Sequence, residues 1–331
     1  MAGKESYYYA RAGALNRELK QRIPSETLKK LHRKQPWRHF AVALRQILLL
    51  LSMPVVIYFF QDQPLIWVPA AIIQGFTVFS FSVLLHEAVH KCIFNHDRYN
   101  LNDKLGLLYG SISGLAASQF TRWHMDHHYQ LGDAGADPKR AHLTPKTNAR
   151  WLKLLYFTPA LYPIYFRAAF KAQNGYEPEL RARIKKERLF AIGLHLAVLI
   201  FYGWLSPLFL IKAGIIPLFF VFPVAFAVNR VAQHYVIDPD DIAHWSTRMQ
   251  PNTLWNTLFL WSSYHLEHHY YPAVPFYNLK ALNLELQEFY RQRSIPAYGY
   301  VTLLKMWLFD NHLPHSKPTK GTVAAAKPSR A

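Results

Sequence analysis

Residues 64–90 read PLIWVPAAIIQGFTVFSFSVLLHEAVH, and this stretch decides the fold. Pro64 to Leu85 contains no Asp, Glu, Lys or Arg. About 20 such residues wound as an α-helix cross the roughly 30 Å hydrocarbon layer of a bilayer. The apolar run stops at His86-Glu87-Ala88-Val89-His90. Positions i and i+4 of a helix share one face, so His86 and His90 point the same way just past the span.

Similar apolar blocks lie on both sides. Phe40 to Phe60 precedes the stretch, and Gln61-Asp62-Gln63-Pro64 reads as a tight turn between the two. Leu189–Ile211 and Ala213–Val231 follow, with Lys212 and Gly214 at the turn. The pattern predicts an all-α integral-membrane protein with four transmembrane helices in two hairpins, at about 40–60, 64–85, 189–211 and 213–231. The weaker stretch Leu152–Phe170, rich in Tyr, Phe and Pro and basic at both ends, reads as interfacial.

Composition agrees. Of 331 residues 51% are hydrophobic, yet mean hydropathy is −0.05, so the apolar residues are concentrated in blocks. The net charge of +18 would suit nucleic acid, an acidic substrate or a membrane surface. The blocked apolar pattern selects the membrane and gives no reason to invoke nucleic acid. Arg33, Lys34 and Arg38 precede the first block, while the Gln61–Pro64 turn has no Lys or Arg. By the positive-inside rule both termini and the long central segment face the cytoplasm, in a bacterial inner membrane or an endoplasmic reticulum. Arg45, near the cytoplasmic end of the first block, can snorkel to the interface. Residues 1–39 read as a basic cytosolic segment without the apolar core of a cleavable signal, 40–310 as the membrane domain and 311–331 as a disordered tail. The single cysteine, Cys92, forms no intrachain disulfide and no CxxC site.

Histidine is the unusual residue, with 17 in the chain. Besides His86 and His90 there are two clusters, His124-Met125-Asp126-His127-His128 and His265-Leu266-Glu267-His268-His269. Each can gather its histidines on one helical face. One zinc ion needs three or four ligands, whereas eight imidazoles suit two metal ions with open positions. Imidazole binds iron, zinc, copper and nickel, and among these iron activates dioxygen at non-haem sites. His234, just past the fourth block, is a further candidate by position. Glu87, Asp126 and Glu267 either orient imidazoles or serve as solvated or capping residues. Asp133 and Asp137 read as turn residues in a Gly-rich loop. Phe120, Trp123, Trp255 and Trp261 either line a substrate channel or anchor the interface. Two other classes fit parts of the pattern. His86-Glu87-Ala88-Val89-His90 alone fits the HExxH of a zinc protease but leaves the other two clusters unexplained. A metal transporter would place its ligands near mid-membrane, not beyond the spans.

HEAVH, HMDHH and HLEHH, in this order around two apolar hairpins, resemble the three histidine boxes of the membrane fatty-acid desaturases. The resemblance covers roughly residues 40–295. Trp123-HMDHHYQLGDAGAD-Pro138 and Gln233-His234-Tyr235 look most like the acyl-lipid and sphingolipid branches. The resemblance implies four long helices and a cytosolic helical cap holding a di-iron centre. It implies two Fe2+ held by His86, His90, His124, His127, His128, His234, His265, His268 and His269. Asn229 would be a water-mediated partner, at a spacing one residue longer than in the acyl-CoA branch. The implied reaction is O2-dependent removal of two hydrogens from a lipid or fatty-acyl chain; a hydroxylase or ketolase of the same superfamily is the alternative. No HPGG haem-binding motif is present, so electrons are expected from a separate ferredoxin or cytochrome b5 type carrier.

Overall fold

The computed structural model describes residues 7–317. Three short helices open the chain: α1 (Tyr7–Arg11), α2 (Gly13–Arg22) and α3 (Ser25–His32). Two long ones follow, α4 (Pro36–Phe59) and α5 (Pro64–Val89), then α6 (Leu101–Ile112), α7 (Ala117–Tyr129), α8 (Arg150–Leu155) and α9 (Leu161–Ala172). The second long pair is α10 (Pro178–Leu205) and α11 (Pro207–His234). The remainder is α12 (Thr253–Leu258), α13 (His265–Tyr270), α14 (Phe276–Glu285), α15 (Gln287–Gln292) and α16 (Tyr300–Leu308). No strand occurs among the described residues, only isolated bridges such as Val236 with Ser316. The protein is all-helical, and α4, α5, α10 and α11 are long and apolar enough to cross a membrane.

The chain divides into two compact units. Unit 2, residues 34–124 and 155–227, contains α4, α5, α10 and most of α11. Within it α5 is the central helix: 72% of its apolar window is buried, against 22% for α4 and 6% for α10. The outer helices turn Leu44, Leu48, Leu51, Phe190, Ile200 and Trp204 outward, as lipid-facing surfaces do. Inside α5 the hydroxyls of Thr77, Ser80 and Ser82 donate to the carbonyls of Ile73, Phe76 and Phe79, so no polar atom of theirs is wasted in an apolar setting. Gly75 lets α11 approach: a Cβ there would lie 2.4 Å from the Val221 side chain and 2.7 Å from the Pro217 carbonyl. Around Pro217, α11 is wound as a π-helix from Leu210 to Val221, a wider turn that accommodates a residue lacking an N–H.

The turn between the last two spans differs from the expected position at Lys212 and Gly214. It falls at Ser206, whose extended backbone (φ −171°) breaks the helix. The Ser206 hydroxyl accepts from the amides of Leu208 and Phe209, and Pro207 opens the next helix. Lys212 is instead inside α11, its ammonium on the Gln61 carbonyl at 2.6 Å and 4.8 Å from the Trp67 ring centroid. A long aliphatic stem allows that reach.

Among the described residues, unit 1 collects 7–33, 125–154 and 228–317. α3 packs on α14, and Asn278 donates to the Leu31 carbonyl at 2.8 Å. Arg293 joins Glu18 of α2 (2.5 Å) to Asp241 (3.1 Å). The disordered tail expected from 311 is corrected in its first seven residues. Lys153 donates to the His312 carbonyl, Thr144 meets His315, and Ile237 donates to Ser316, so backbone and side-chain bonds hold 311–317 in place. Residues 318–331 lie outside the described residues.

Candidate metal centre

The first histidine box lies at the end of α5, within unit 2. His86 is helical and His90 is the C-cap. Lys91 then turns left-handed (φ 55°), with Lys91 N–H on Ala88 O and Cys92 N–H on Glu87 O. This paired closure stops α5 where the box ends. His124 on α7 joins the two: His90 Nε2 is 2.7 Å from His124 Nε2, and the His86 and His124 ring centroids are 4.5 Å apart. Phe120, one turn earlier, stacks on His124 at 5.6 Å.

Unit 1 gathers the rest of the second box, the third box and His234. His127 and His128 come from α7, His234 ends α11, and His265, His268 and His269 come from the single turn of α13. All six are at most 5% exposed, well below what polar rings accept without partners. Four Nε2 atoms converge: His234 lies 3.0 Å from His127, 2.9 Å from His265 and 3.2 Å from His269, with His265 and His269 3.1 Å apart. These four can hold a metal ion. His128 and His268 also meet Nε2 to Nε2, at 3.1 Å.

The outer nitrogens fix the tautomers. His234 Nδ1 is 3.2 Å from the Trp245 carbonyl, which only accepts, so Nδ1 carries the proton. His127 Nδ1 is 2.9 Å from both oxygens of buried Asp137 and donates in the same way. Both Nε2 atoms are then bare lone pairs facing each other at 3.0 Å. Protonating a ring does not relieve this, because burial first, with Lys139 next, pushes His127 well below the usual imidazole range. Converging neutral imidazole lone pairs with outer N–H groups tied to acceptors are the donor set of a transition-metal site. The residues present therefore fit iron.

Asp137 was expected to be a turn residue, and there the structure differs. Asp133 caps the amides of Gly135 and Ala136 as expected, whereas Asp137 is 3% exposed and accepts the hydrogen bond from His127 Nδ1–H. Burial raises its carboxyl, while Arg230, Lys139 and the amides of Arg140 and Lys139 pull it back toward the ionised form. Glu267, weighed as an imidazole partner, instead accepts from Tyr290 (2.7 Å) and Asn283 (2.5 Å) and so anchors α13 to α14 and α15. Glu87 stands 3.8 Å from His86 Nδ1. The Asn229 side chain accepts from Ser262 at 2.7 Å. Trp255 packs on Tyr300 and Trp261 on Phe276, in unit 1, while Trp123 packs on Tyr165 in unit 2.

Fold and site together define a class: helical membrane proteins with clustered histidines able to hold metal. The profile of the fatty acid desaturase family matches residues 62–300, and the chain belongs to that family. Similar proteins include the sphingolipid delta(4)-desaturase DES1-like protein of Arabidopsis thaliana, 27% identical over 70% of this chain and 67% of its own. The sphingolipid delta(4)-desaturase/C4-monooxygenase DES2 of Homo sapiens is 25% identical over 71% and 69%. The sphingolipid delta(4)-desaturase DES1 of Drosophila melanogaster is 27% identical over 80% and 78%. The chain is thus an oxidoreductase of lipid metabolism, and the protease reading of HEAVH is set aside.

Proposed function

We propose that this protein is an O2-dependent di-iron desaturase that places a double bond in the aliphatic chain of a membrane lipid. The observation that carries the reading is the convergence of four buried Nε2 atoms in unit 1, from His127, His234, His265 and His269. With His86, His90, His124, His128 and His268 they make nine ligands for two irons. When bound, the irons supply the oxidising power that an acid or base lacks against an unactivated methylene. The chain's own residues do the rest. Asp137 holds the proton on His127 Nδ1, the Trp245 carbonyl holds that on His234 Nδ1, and both rings keep Nε2 turned inward. Burial of all six unit 1 histidines excludes water from their ring nitrogens.

The relatives' names support a sphingolipid-type substrate. A second reading, hydroxylation, is favoured by the C4-monooxygenase named for the human relative. Both termini face the cytoplasm, where a separate ferredoxin or cytochrome b5 type carrier supplies electrons. The test is a mass-spectrometric comparison of lipids from cells expressing the protein or His127→Ala, with a carrier system present. Lipids two hydrogens lighter, absent in the variant, are expected. Products heavier by one oxygen would replace desaturation with hydroxylation, and identical lipids in both would sink the enzyme reading.

A further inference from the structure

We propose that the cleft between the N-terminal helices and the third histidine box, wholly within unit 1, is the docking surface of an acidic one-electron carrier protein. The inference rests on the desaturase reading, because that reaction must be fed electrons. One –CH2–CH2– unit becomes –CH=CH– and gives up two hydrogens. Two electrons from the carrier and two protons from water complete the reduction of O2 to two waters.

The cleft measures about 190 Å3, is open to solvent, and is lined by Tyr8, Tyr9, Lys20, His269, Tyr271 and Pro272. It therefore leads from the surface to one of the proposed ligands. Pockets that enclose a whole small-molecule ligand start at roughly 300 Å3, so the cleft is too small for a long acyl chain. Its wall is aromatic and continues onto the surface. Tyr9 is 47% exposed and meets Tyr129, itself 42% exposed, at a centroid distance of 5.9 Å. Tyr129 directly follows His128 in the chain. Exposed rings thus stand next to residues of both the second and third boxes, and a partner covering the mouth reaches both.

Charge selects the partner. On α2, Lys20 is one turn from Asn16 and from Arg17, so the three share a face. Arg17 and Lys20 are exposed, and neither pairs with a carboxylate among the described residues. The acids of these helices are already used: Glu18 by Arg293 and Arg22, Glu26 by Lys29. Arg11, also exposed, lies 3.7 Å over the Tyr7 ring. The cations of Arg17 and Lys20, with Arg11 partly offset by Asp133, border an aromatic floor and fit a protein with an acidic patch around its redox group; such rims chiefly set the association rate.

The test uses the full chain in phosphatidylcholine nanodiscs, with two acidic carriers as probes: a [2Fe–2S] ferredoxin and soluble cytochrome b5. Two quantities are read: binding of the oxidised carrier to metal-free protein, and the rate of carrier oxidation by iron-loaded protein relative to reduction by dithionite, which needs no docking. Arg17→Glu/Lys20→Glu is expected to weaken binding and lower the rate ratio roughly tenfold for at least one carrier, with the loss shrinking as salt rises. Arg17→Gln/Lys20→Gln should fall between. The same charge change at the exposed Lys185 and Lys186 of unit 2 should cost less than about twofold. Equal losses in both reversals, no loss in either, or no binding of either carrier to the wild type would overturn the proposal. So would a loss seen only with anionic lipid in the disc, which would assign the rim to the membrane surface. The desaturase reading fails separately, if dithionite-reduced wild type given O2 leaves unchanged a saturated sphingolipid included in the disc.

Discussion

His127 and His234 each give one ring nitrogen to a protein acceptor and so commit the other to the interior. Asp137 does this for His127 with a carboxylate, the Trp245 carbonyl for His234 with a neutral oxygen. Replacing Asp137 by Asn keeps the shape but removes the charge that makes His127 a strong donor. Asp137→Asn is expected to lose iron to a chelator at about 10- to 100-fold lower chelator concentration, as other metal sites do without such a partner. Retention equal to the wild type would leave Asp137 a purely structural residue. The histidines themselves were legible in the sequence, because repeated imidazoles at i, i+3 and i+4 have few other uses. Asp137 was not. It lies four residues from Asp133 in a loop whose composition favours turns, and nothing local says that Asp133 caps the turn while Asp137 is carried back to His127. The nearest signal is the Gly132–Gly135 spacing, which makes the chain double back. Gly132 has φ +90°, and a Cβ there would meet the Trp245 ring at 2.4 Å.

Helices α5 and α11 set the frame of unit 2, and Gly75 sets how closely they pack. Gly75→Ala puts a methyl 2.4 Å from Val221 and 2.7 Å from a backbone carbonyl that cannot rotate away. The expected cost is about 1–3 kcal/mol, read as a lower thermal midpoint in detergent. Val221→Gly in the same chain should recover part of it, since the two sites share one contact. Additive losses would show that the helices separate freely and that their approach is not tight. The existence of the four helices was legible because each long apolar run has one economical fold in lipid. The turn between α10 and α11 is not at the lysine that composition alone marks as a boundary. Ser206-Pro207 was the better signal, a capping hydroxyl before a residue that suits the first helical turn. Lys212 is tolerated inside the helix because its ammonium reaches the Gln61 carbonyl.

For the whole molecule, metal and fold are expected to stabilise each other. The Nε2 lone pairs of His127 and His234, whose outer nitrogens hold the protons, face one another at 3.0 Å and repel without a cation between them. Stripping metal should lower the thermal midpoint by several degrees, and Fe2+ should restore it with a concentration dependence; a ligand at 100 times its Kd contributes about 2.7 kcal/mol. A midpoint that ignores Fe2+ would contradict the proposed ligand set. Topology is testable in the same spirit. A cysteine at Asp62 and a reporter at the C-terminus should respond from opposite sides of the membrane, Cys92 being buried and silent. The same side for both would reverse the charge argument. The sequence by itself determined the class of fold, the family and the histidines that are candidates for holding metal, because hydropathy and helical spacing are local properties that neighbours along the chain specify. Tertiary structure alone decided which nitrogen of each ring faces inward, that Asp137 and Trp245 govern this choice, and that the N-terminal helices border a cleft to His269. Those facts join residues up to about 250 positions apart in the chain, such as Lys20 and His269, and only the folded backbone brings them within reach.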